Sequence, residues 1–156
     1  MTTTLTHGLA ILAELCPAGY ATGFHIRFTS PTYLFQTYAP EWNEYYSSQG
    51  LVMRDPTVAW MLQNTGAVRW SDLADQDAGG VLAAAKEHGL VYGASVSVME
   101  GDSRSVGGFA RADREFTDDE LKALSTAMLT IHLATLDDGA LSNEDKATIK
   151  RLSVTA

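Results

Sequence analysis

The feature that most restricts the fold of this chain is a pair of short strand-like runs with almost nothing between them. Residues 23–29 (GFHIRFT) and 32–38 (TYLFQTY) are dense in aromatic and β-branched side chains, and only Ser30-Pro31 separates them. Residues 90–99 (LVYGASVSVM) and 105–111 (SVGGFAR) repeat the arrangement around Gly101-Asp102, which is turn chemistry. Parallel strands need a crossover of about a dozen residues, so both pairs must be antiparallel. The adjacent Gly107 and Gly108 predict a bulge or a close approach of backbone in the last strand.

Helices fall before, between and after these pairs. Leu5, Leu9, Leu12 and Cys16 recur at helical spacing over residues 6–15, with Thr6 as cap and Pro17 and Gly19 as stop. Pro40 opens a helix to about Gln49, with Gly50 at its end. Asp55-Pro56 starts another that runs to about Asn64 and ends near Gly66. A short strand through Val68–Trp70 and a Ser71-capped turn follow, and residues 79–88 form a small alanine-rich helix. Thr117-Asp118-Asp119-Glu120 is a capping box, and Leu121, Leu124, Met128 and Ile131 continue it at helical spacing. The order predicts an α+β fold, a three-layer α-β-α sandwich around an antiparallel sheet of about five strands.

Length and composition fit one domain without repeats. A single cysteine, Cys16, excludes an internal disulfide and a multi-cysteine metal site, and it ends an apolar stripe as a core residue would. The apolar run at 8–16 is broken by Glu14 and far too short to span a bilayer. A cytoplasmic protein with no membrane contact is expected. Net charge is −8, and the eleven lysines and arginines are scattered apart from Lys146, Lys150 and Arg151 near the end. Binding to a phosphate backbone requires a basic face, so no nucleic-acid binding is expected from this chain alone.

Catalytic signatures are missing. The histidines His7, His25, His88 and His132 fall in four different elements without ligand spacing. Ser95 and Ser97 read as strand serines because no nucleophile elbow surrounds them, and there is no phosphate loop or dinucleotide fingerprint. The reading is therefore of a non-enzyme with no catalytic residue, no metal and no cofactor.

The informative stretch is residues 38–70. Tyr38, Trp42 and Tyr46 recur at steps of four, which places them in one stripe if the segment is helical. Such a stripe serves as core in many small domains. Here all three rings carry a polar tip that must find a partner when buried, and an acid, Asp55, and a further ring, Trp70, follow closely. Apolar walls with a few placed donors and acceptors also describe a pocket for a small amphiphile. Asp55 reads equally as a helix cap, and a carboxylate has acceptor sites enough for both roles. Tyr45 and Trp60 fall off the stripe and read as surface or interface residues.

The spacing Tyr38-x₃-Trp42-x₃-Tyr46-x₈-Asp55-Pro56-Thr57-x₁₂-Trp70 resembles the autoinducer-binding domain of LuxR-type quorum-sensing regulators, and the element order extends the resemblance over residues 5–138. That resemblance implies an acyl-homoserine lactone, or a related amphiphilic amide, held between the sheet and one helical layer. It implies that Trp42 donates to the lactone carbonyl, Tyr38 donates to the acyl carbonyl and Asp55 accepts the amide N–H. Tyr46 and Trp70 would wall the ligand, and Thr57 would line the head-group end. The chain departs from the family in four places. A small hydroxyl residue on the late strand is replaced near Gly108–Ala110, which removes a second contact to the acyl carbonyl. Ala67 replaces a proline, residues 90–98 lack a glycine-proline pattern, and the 30–37 connection is short.

The resemblance divides the chain into a sensing domain, 1–138, and a tail, 139–156. The opening of that tail, Leu141-Ser142-Asn143-Glu144, resembles the start of the family's helix-turn-helix, with a frayed polar tail as the alternative. Two further functions are weighed beside the sensor of a transcription regulator. One is a stand-alone domain without a DNA-binding module that dimerises with a full-length LuxR-type regulator and inhibits it. The other is a lactone or amide hydrolase using an aspartate and a histidine. Helix 117–136 is the element expected to support a homodimer or heterodimer.

Overall fold

The computed structural model describes residues 3–27 and 30–152. Five strands, β1 (Gly19–Arg27), β2 (Ser30–Gln36), β3 (Gly66–Arg69), β4 (Tyr92–Glu100) and β5 (Ser103–Arg111), form one antiparallel sheet in the order β2-β1-β5-β4-β3. The β4–β5 hairpin turns through Gly101 and Asp102, both with positive φ (62° and 57°). This is the geometry that matches the twist of a two-residue hairpin. Pro31 is tolerated within β2 because that strand is an edge, where a missing N–H breaks no central ladder. The expected bulge at Gly107–Gly108 is not formed, since both residues keep register with β4 and β1. They instead make room for side chains: a Cβ on Gly107 would stand 2.6 Å from the Phe109 ring. Residues 28 and 29 of the expected first strand lie outside the described residues.

Six helices surround the sheet: α1 (Thr4–Leu15), α2 (Pro40–Ser48), α3 (Pro56–Gln63), α4 (Val81–Glu87), α5 (Asp118–Ala134) and α6 (Asn143–Leu152). The cap of α1 is Thr3, one turn earlier than the expected Thr6, whose N–H it accepts. The capping box of α5 forms as the sequence predicts, with Thr117 and Glu120 bonded reciprocally.

Strand alternation gives the sheet two unlike faces. Phe24, Phe35, Val96 and Phe109 point toward α1 and α5 and join Leu5, Leu12, Leu124, Met128 and Ile131 in the main core. Ile149 of α6 reaches the same core, and Leu141 packs against it. The opposite face is built from small residues: Gly19, Ala21 and Gly23 on β1, Gly93, Ser95 and Ser97 on β4, and Gly108 and Ala110 on β5. Against that face lies a second apolar cluster with Trp42, Leu51, Val81, Ala85 and Leu90, flanked by Tyr38, Tyr46 and Trp70.

Candidate ligand-binding site

The short residues of β1, β4 and β5 lower the floor of the second face, and the aromatic residues of the α2–α4 side come down onto it. Tyr38 sits in the link between β2 and α2. It precedes the helix at Pro40, so the expected helical stripe holds for Trp42 and Tyr46 only. Its ring nevertheless shares the same side. A Cβ on Gly19 would stand 2.9 Å from the Tyr38 ring, and one on Gly108 would stand 3.4 Å from the Tyr38 hydroxyl.

Trp42 is buried and packs on Tyr46 with ring centroids 5.7 Å apart. The Tyr46 hydroxyl donates to Asp55 Oδ2 at 2.7 Å. Asp55 also caps α3, accepting from Thr57 N–H at 2.8 Å and from the Thr57 hydroxyl at 2.7 Å, both through Oδ1. Both expected roles of Asp55 are thus sterically compatible: three of about four acceptor directions are taken and one remains. Trp70 lies across the sheet, where a Cβ on Gly93 would fall only 1.9 Å from its ring, and its indole N–H donates to Ser95 Oγ at 3.0 Å.

All six predicted residues therefore gather on one face. Among the described residues, neither the Tyr38 hydroxyl nor the Trp42 indole N–H has a hydrogen-bond partner, whereas Tyr46, Thr57 and Trp70 are bonded to protein. Burial pushes the Tyr38 phenol well above its ordinary range, with Cys16 and Asp55 adding to the shift. Burial and the adjacent Asp55 do the same for Tyr46. Both hydroxyls stay protonated donors. Burial likewise pushes the Cys16 thiol up to about 12, so it is no nucleophile at neutral pH.

The site is held from both ends of α3. Asp55 fixes its start, and Arg104 of β5 reaches across to its end, with Nη1 at 2.7 Å from the carbonyl oxygens of both Met61 and Asn64. Asp77 similarly anchors α4, taking the N–H groups of Val81, Leu82 and Ala83. Two further rings flank Trp42: Tyr45 at 6.1 Å and the exposed His88 at 5.1 Å. Tyr45 is a surface residue as expected, but His88 and the floor residues Gly93 and Ser95 carried no functional reading. The alternation of small residues, Gly93-x-Ser95-x-Ser97, is the signal that could have found them.

A family model described as "Autoinducer binding domain" matches residues 20–135. The chain belongs to the autoinducer-binding domain family. The fold agrees with solved members of that kind. It superposes on SdiA in complex with octanoyl-rac-glycerol with a TM-score of 0.63 at 20% identity, covering 97% of this chain and 70% of that one. A crystal structure of Escherichia coli SdiA in the space group P6522 gives 0.62 at 21% identity, covering 97% and 72%. CepR2 of Burkholderia cenocepacia, an N-acylhomoserine lactone-dependent LuxR family transcription factor, gives 0.62 at 17% identity, covering 85% and 83%. A search of curated protein sequences found no match.

The autoinducer-binding fold also brings together two histidines that the sequence left apart. Behind the sheet, the rings of His25 and His132 lie 4.4 Å apart. His132 Nδ1 is 2.6 Å from Ser105 Oγ and its Nε2 is 2.9 Å from the Glu100 carbonyl. His25 Nδ1 is 2.7 Å from Ser103 Oγ, and its Nε2 is 3.0 Å from both the His132 carbonyl and Thr135 Oγ1. His25 takes a positive φ of 56°, which turns its ring into this network. Among the described residues, none of the hydrogen bonds of Asp55 goes to a histidine. Two clefts open away from the six residues. One, of about 640 Å³, is lined by His25, Arg27, Thr32, Asp102, Ser103 and Asp137 among others. The other, of about 250 Å³, lies between β4 and α5 around Met99 and Leu129. Among the described residues, no helix is long and apolar enough to cross a membrane.

Proposed function

We propose that this domain is the ligand-binding sensor of a quorum-sensing transcription regulator, that it closes around an acyl-homoserine lactone or a related amphiphilic amide, and that it catalyses no reaction. One observation carries the reading. Two protonated donors without protein partners, on Tyr38 and the 94% buried Trp42, share a site with a carboxylate that has one acceptor direction left. An acylated lactone offers the complement: two carbonyl oxygens and one amide N–H on an apolar chain. Neither donor atom is wholly cut off from solvent in the free domain, so a guest that encloses them must answer them or leave each unpaired at a cost of roughly 1–3 kcal/mol.

In this assignment Trp42 donates to the lactone carbonyl, Tyr38 to the acyl carbonyl, and Asp55 accepts the amide proton. Tyr46, bonded to Asp55, and Trp70 wall the guest, and Thr57 holds Asp55 in place. Because the rings rest on the sheet, entry requires the α2–α4 layer to lift from the glycine-rich floor. Residues 1–138 are the sensing unit, and 139–156 form a tail in which α6 packs back on it. The setting is the cytoplasm. Exposed Leu129 and Leu133 on α5, with Leu136 just beyond its end and Met99 beside Leu129, support a dimer through that helix, with a second copy or with a LuxR-type regulator.

A thermal-shift panel of homoserine lactones with different acyl chains tests the reading, because a ligand that binds only the folded form raises the melting temperature. A rise is expected for at least one chain length. Trp42→Phe keeps most of the ring, deletes the N–H, and should weaken binding of that lactone by about ten-fold. A flat response of the parent protein across the panel overturns the assignment.

A further inference from the structure

β1 and β5 pair only as far as Gly23 and Val106, although β1 runs on to Arg27 and β5 begins at Ser103. Beyond that point the His25 N–H donates to the Ser105 hydroxyl at 3.0 Å. These two strand ends and the exit of α5 border the cleft of about 640 Å³, with Arg27 at the end of β1, Asp102 and Ser103 at the hairpin, and Asp137 beyond α5. Its polar lining includes two deeply buried residues, His25 at 4% and Thr135 at 2% exposure. His25 and Asp102 are also the two non-glycine residues with positive φ among those described. A strained residue inside a strand is held there by its surroundings, and such residues gather at ligand sites.

The charges of the lining decide what the cleft suits. Continuing the β1–β5 register would set Arg27 level with Asp102, yet among the described residues neither side chain forms an ion pair. Asp137 bonds only the Gly139 N–H, through Oδ1 at 3.0 Å. One guanidinium and two carboxylates thus border a common space without neutralising one another. Ser103 adds an acceptor. His25 Nε2 is 3.0 Å from the His132 carbonyl, which can only accept, so in the neutral ring Nε2 carries the proton and Nδ1 takes that of Ser103 at 2.7 Å. The lone pairs of the Ser103 oxygen then have no donor among the described residues. An acyl chain finds little here, since Ile26 and Leu136 are the only large apolar side chains of the lining. A plain anion would meet Asp102 and Asp137, and a plain cation would meet Arg27.

We propose that this cleft is a second binding site, separate from the six residues described above, for a small amino-carboxylate zwitterion. The carboxylate lies on the Arg27 guanidinium, whose fork of donors fits it with two bonds, and the ammonium lies among Asp102, Asp137 and the Ser103 oxygen. The inference goes beyond the sensor reading and does not depend on it.

Calorimetry and thermal shift with free amino acids test the assignment. The panel holds the standard amino acids and straight-chain ω-amino acids, which vary the separation of the two charges, each at up to about 10 mM. At least one should bind saturably and raise the melting temperature. Its N-acetyl and carboxamide forms, which lack one charge each, should bind at least ten-fold more weakly. Arg27→Gln and Asp102→Asn should each weaken binding of the zwitterion by a similar factor. Both variants keep the fold, because Arg27 is exposed and asparagine takes the positive φ of position 102 as readily as aspartate. Free, they should melt as the parent does, and a lactone that stabilises the parent should stabilise them equally. Absence of binding throughout the panel overturns the proposal. So does a zwitterion that binds both variants as tightly as the parent, or a loss of lactone response in step with the loss of zwitterion binding. A parent that binds a zwitterion but no lactone overturns the sensor reading and leaves this one standing.

Discussion

Asp55 offers a substitution that separates folding from binding. In Asp55→Asn the amide oxygen can take the place of Oδ1 and keep both bonds from Thr57, at 2.8 and 2.7 Å. Asparagine caps helices about as well as aspartate, so α3 should start where it does now. The amide nitrogen then replaces Oδ2 beside Tyr46, whose oxygen can accept in place of donating, although the phenol proton loses its acceptor. A folding cost of about 0.5–1.5 kcal/mol follows. A guest amide N–H meets a different situation, because an acceptor that was charged has become partly a donor. Hydrogen bonds to charged groups contribute about 1.5–3 kcal/mol, so affinity should fall by roughly 10- to 150-fold. Asp55→Ala behaves differently. It removes the cap, at about 0.5–2 kcal/mol, and leaves the Tyr46 hydroxyl unpaired, at about 1–3 kcal/mol. Stability and affinity should drop together. Urea unfolding of the free proteins, with calorimetry using a lactone that stabilises the parent, gives both quantities. Asp55→Asn binding within a factor of two of the parent refutes the acceptor role. A larger loss of stability than of binding energy in that variant shows Asp55 to be a structural cap alone.

Gly93→Ala should expel Trp70 from the sheet, since the new methyl carbon would lie 1.9 Å from the ring; the expected cost is about 2–3 kcal/mol, read as a melting temperature lower by roughly 5–10 °C. An unchanged melting temperature means that Trp70 does not rest there. Glu120 is held at about 2, below its ordinary 4.5, chiefly by the Arg114 hydrogen bond and then by the Thr117 N–H. A carboxylate lowered in the folded state stabilises above its unfolded pKa, and that contribution disappears as pH falls from 4.5 toward 2. Solvent screening around the half-exposed Arg114 reduces the effect to about 1 kcal/mol, so Glu120→Gln should lose that much at pH 7 and flatten the acid limb of a stability–pH curve. A variant with the parent's curve contradicts this. In hydrogen exchange, amides of α2–α4 should open at lower free energy than those of α5, and a bound lactone should slow the former selectively. Uniform protection across both layers speaks against a lifting layer.

Most of the architecture could be read from local chemistry. The Gly101-Asp102 turn, the Asp55-Pro56 start and the Thr117–Glu120 capping box depend on neighbours within four residues, so their structure follows from the sequence around them. The polar group of Tyr38, Trp42, Tyr46 and Asp55 was legible for a similar reason, since its members fall within eighteen residues. What could not be read depends on register. Nothing local says that Ser95 faces Gly108, or that Gly93 lies under Trp70, because those pairings exist only once β4, β5 and the 70–76 segment are assembled. The His25–His132 contact spans more than a hundred residues and depends on a positive φ at His25, which no pattern of residue types announces.

The two faces of the sheet are packed by unlike residues. Phe24, Phe35 and Phe109 bury their rings against α1 and α5, and each such side chain contributes about 1.5–3 kcal/mol. The glycines, alanines and serines opposite them bury little apolar surface of their own. The α2–α4 layer is held by its own apolar cluster and by discrete polar anchors: Asp55 and Arg104 at the two ends of α3, and Asp77 at the start of α4. Anchors of this kind fix the orientation of the helices above the sheet. On the sensor reading proposed above, a guest lodged between the layers would answer the free donors of Tyr38 and Trp42 together. On that reading, such a guest would have to part Trp42, Trp70 and their neighbours from the small residues of β1, β4 and β5, so its occupancy would set how the α2–α4 layer sits on the sheet.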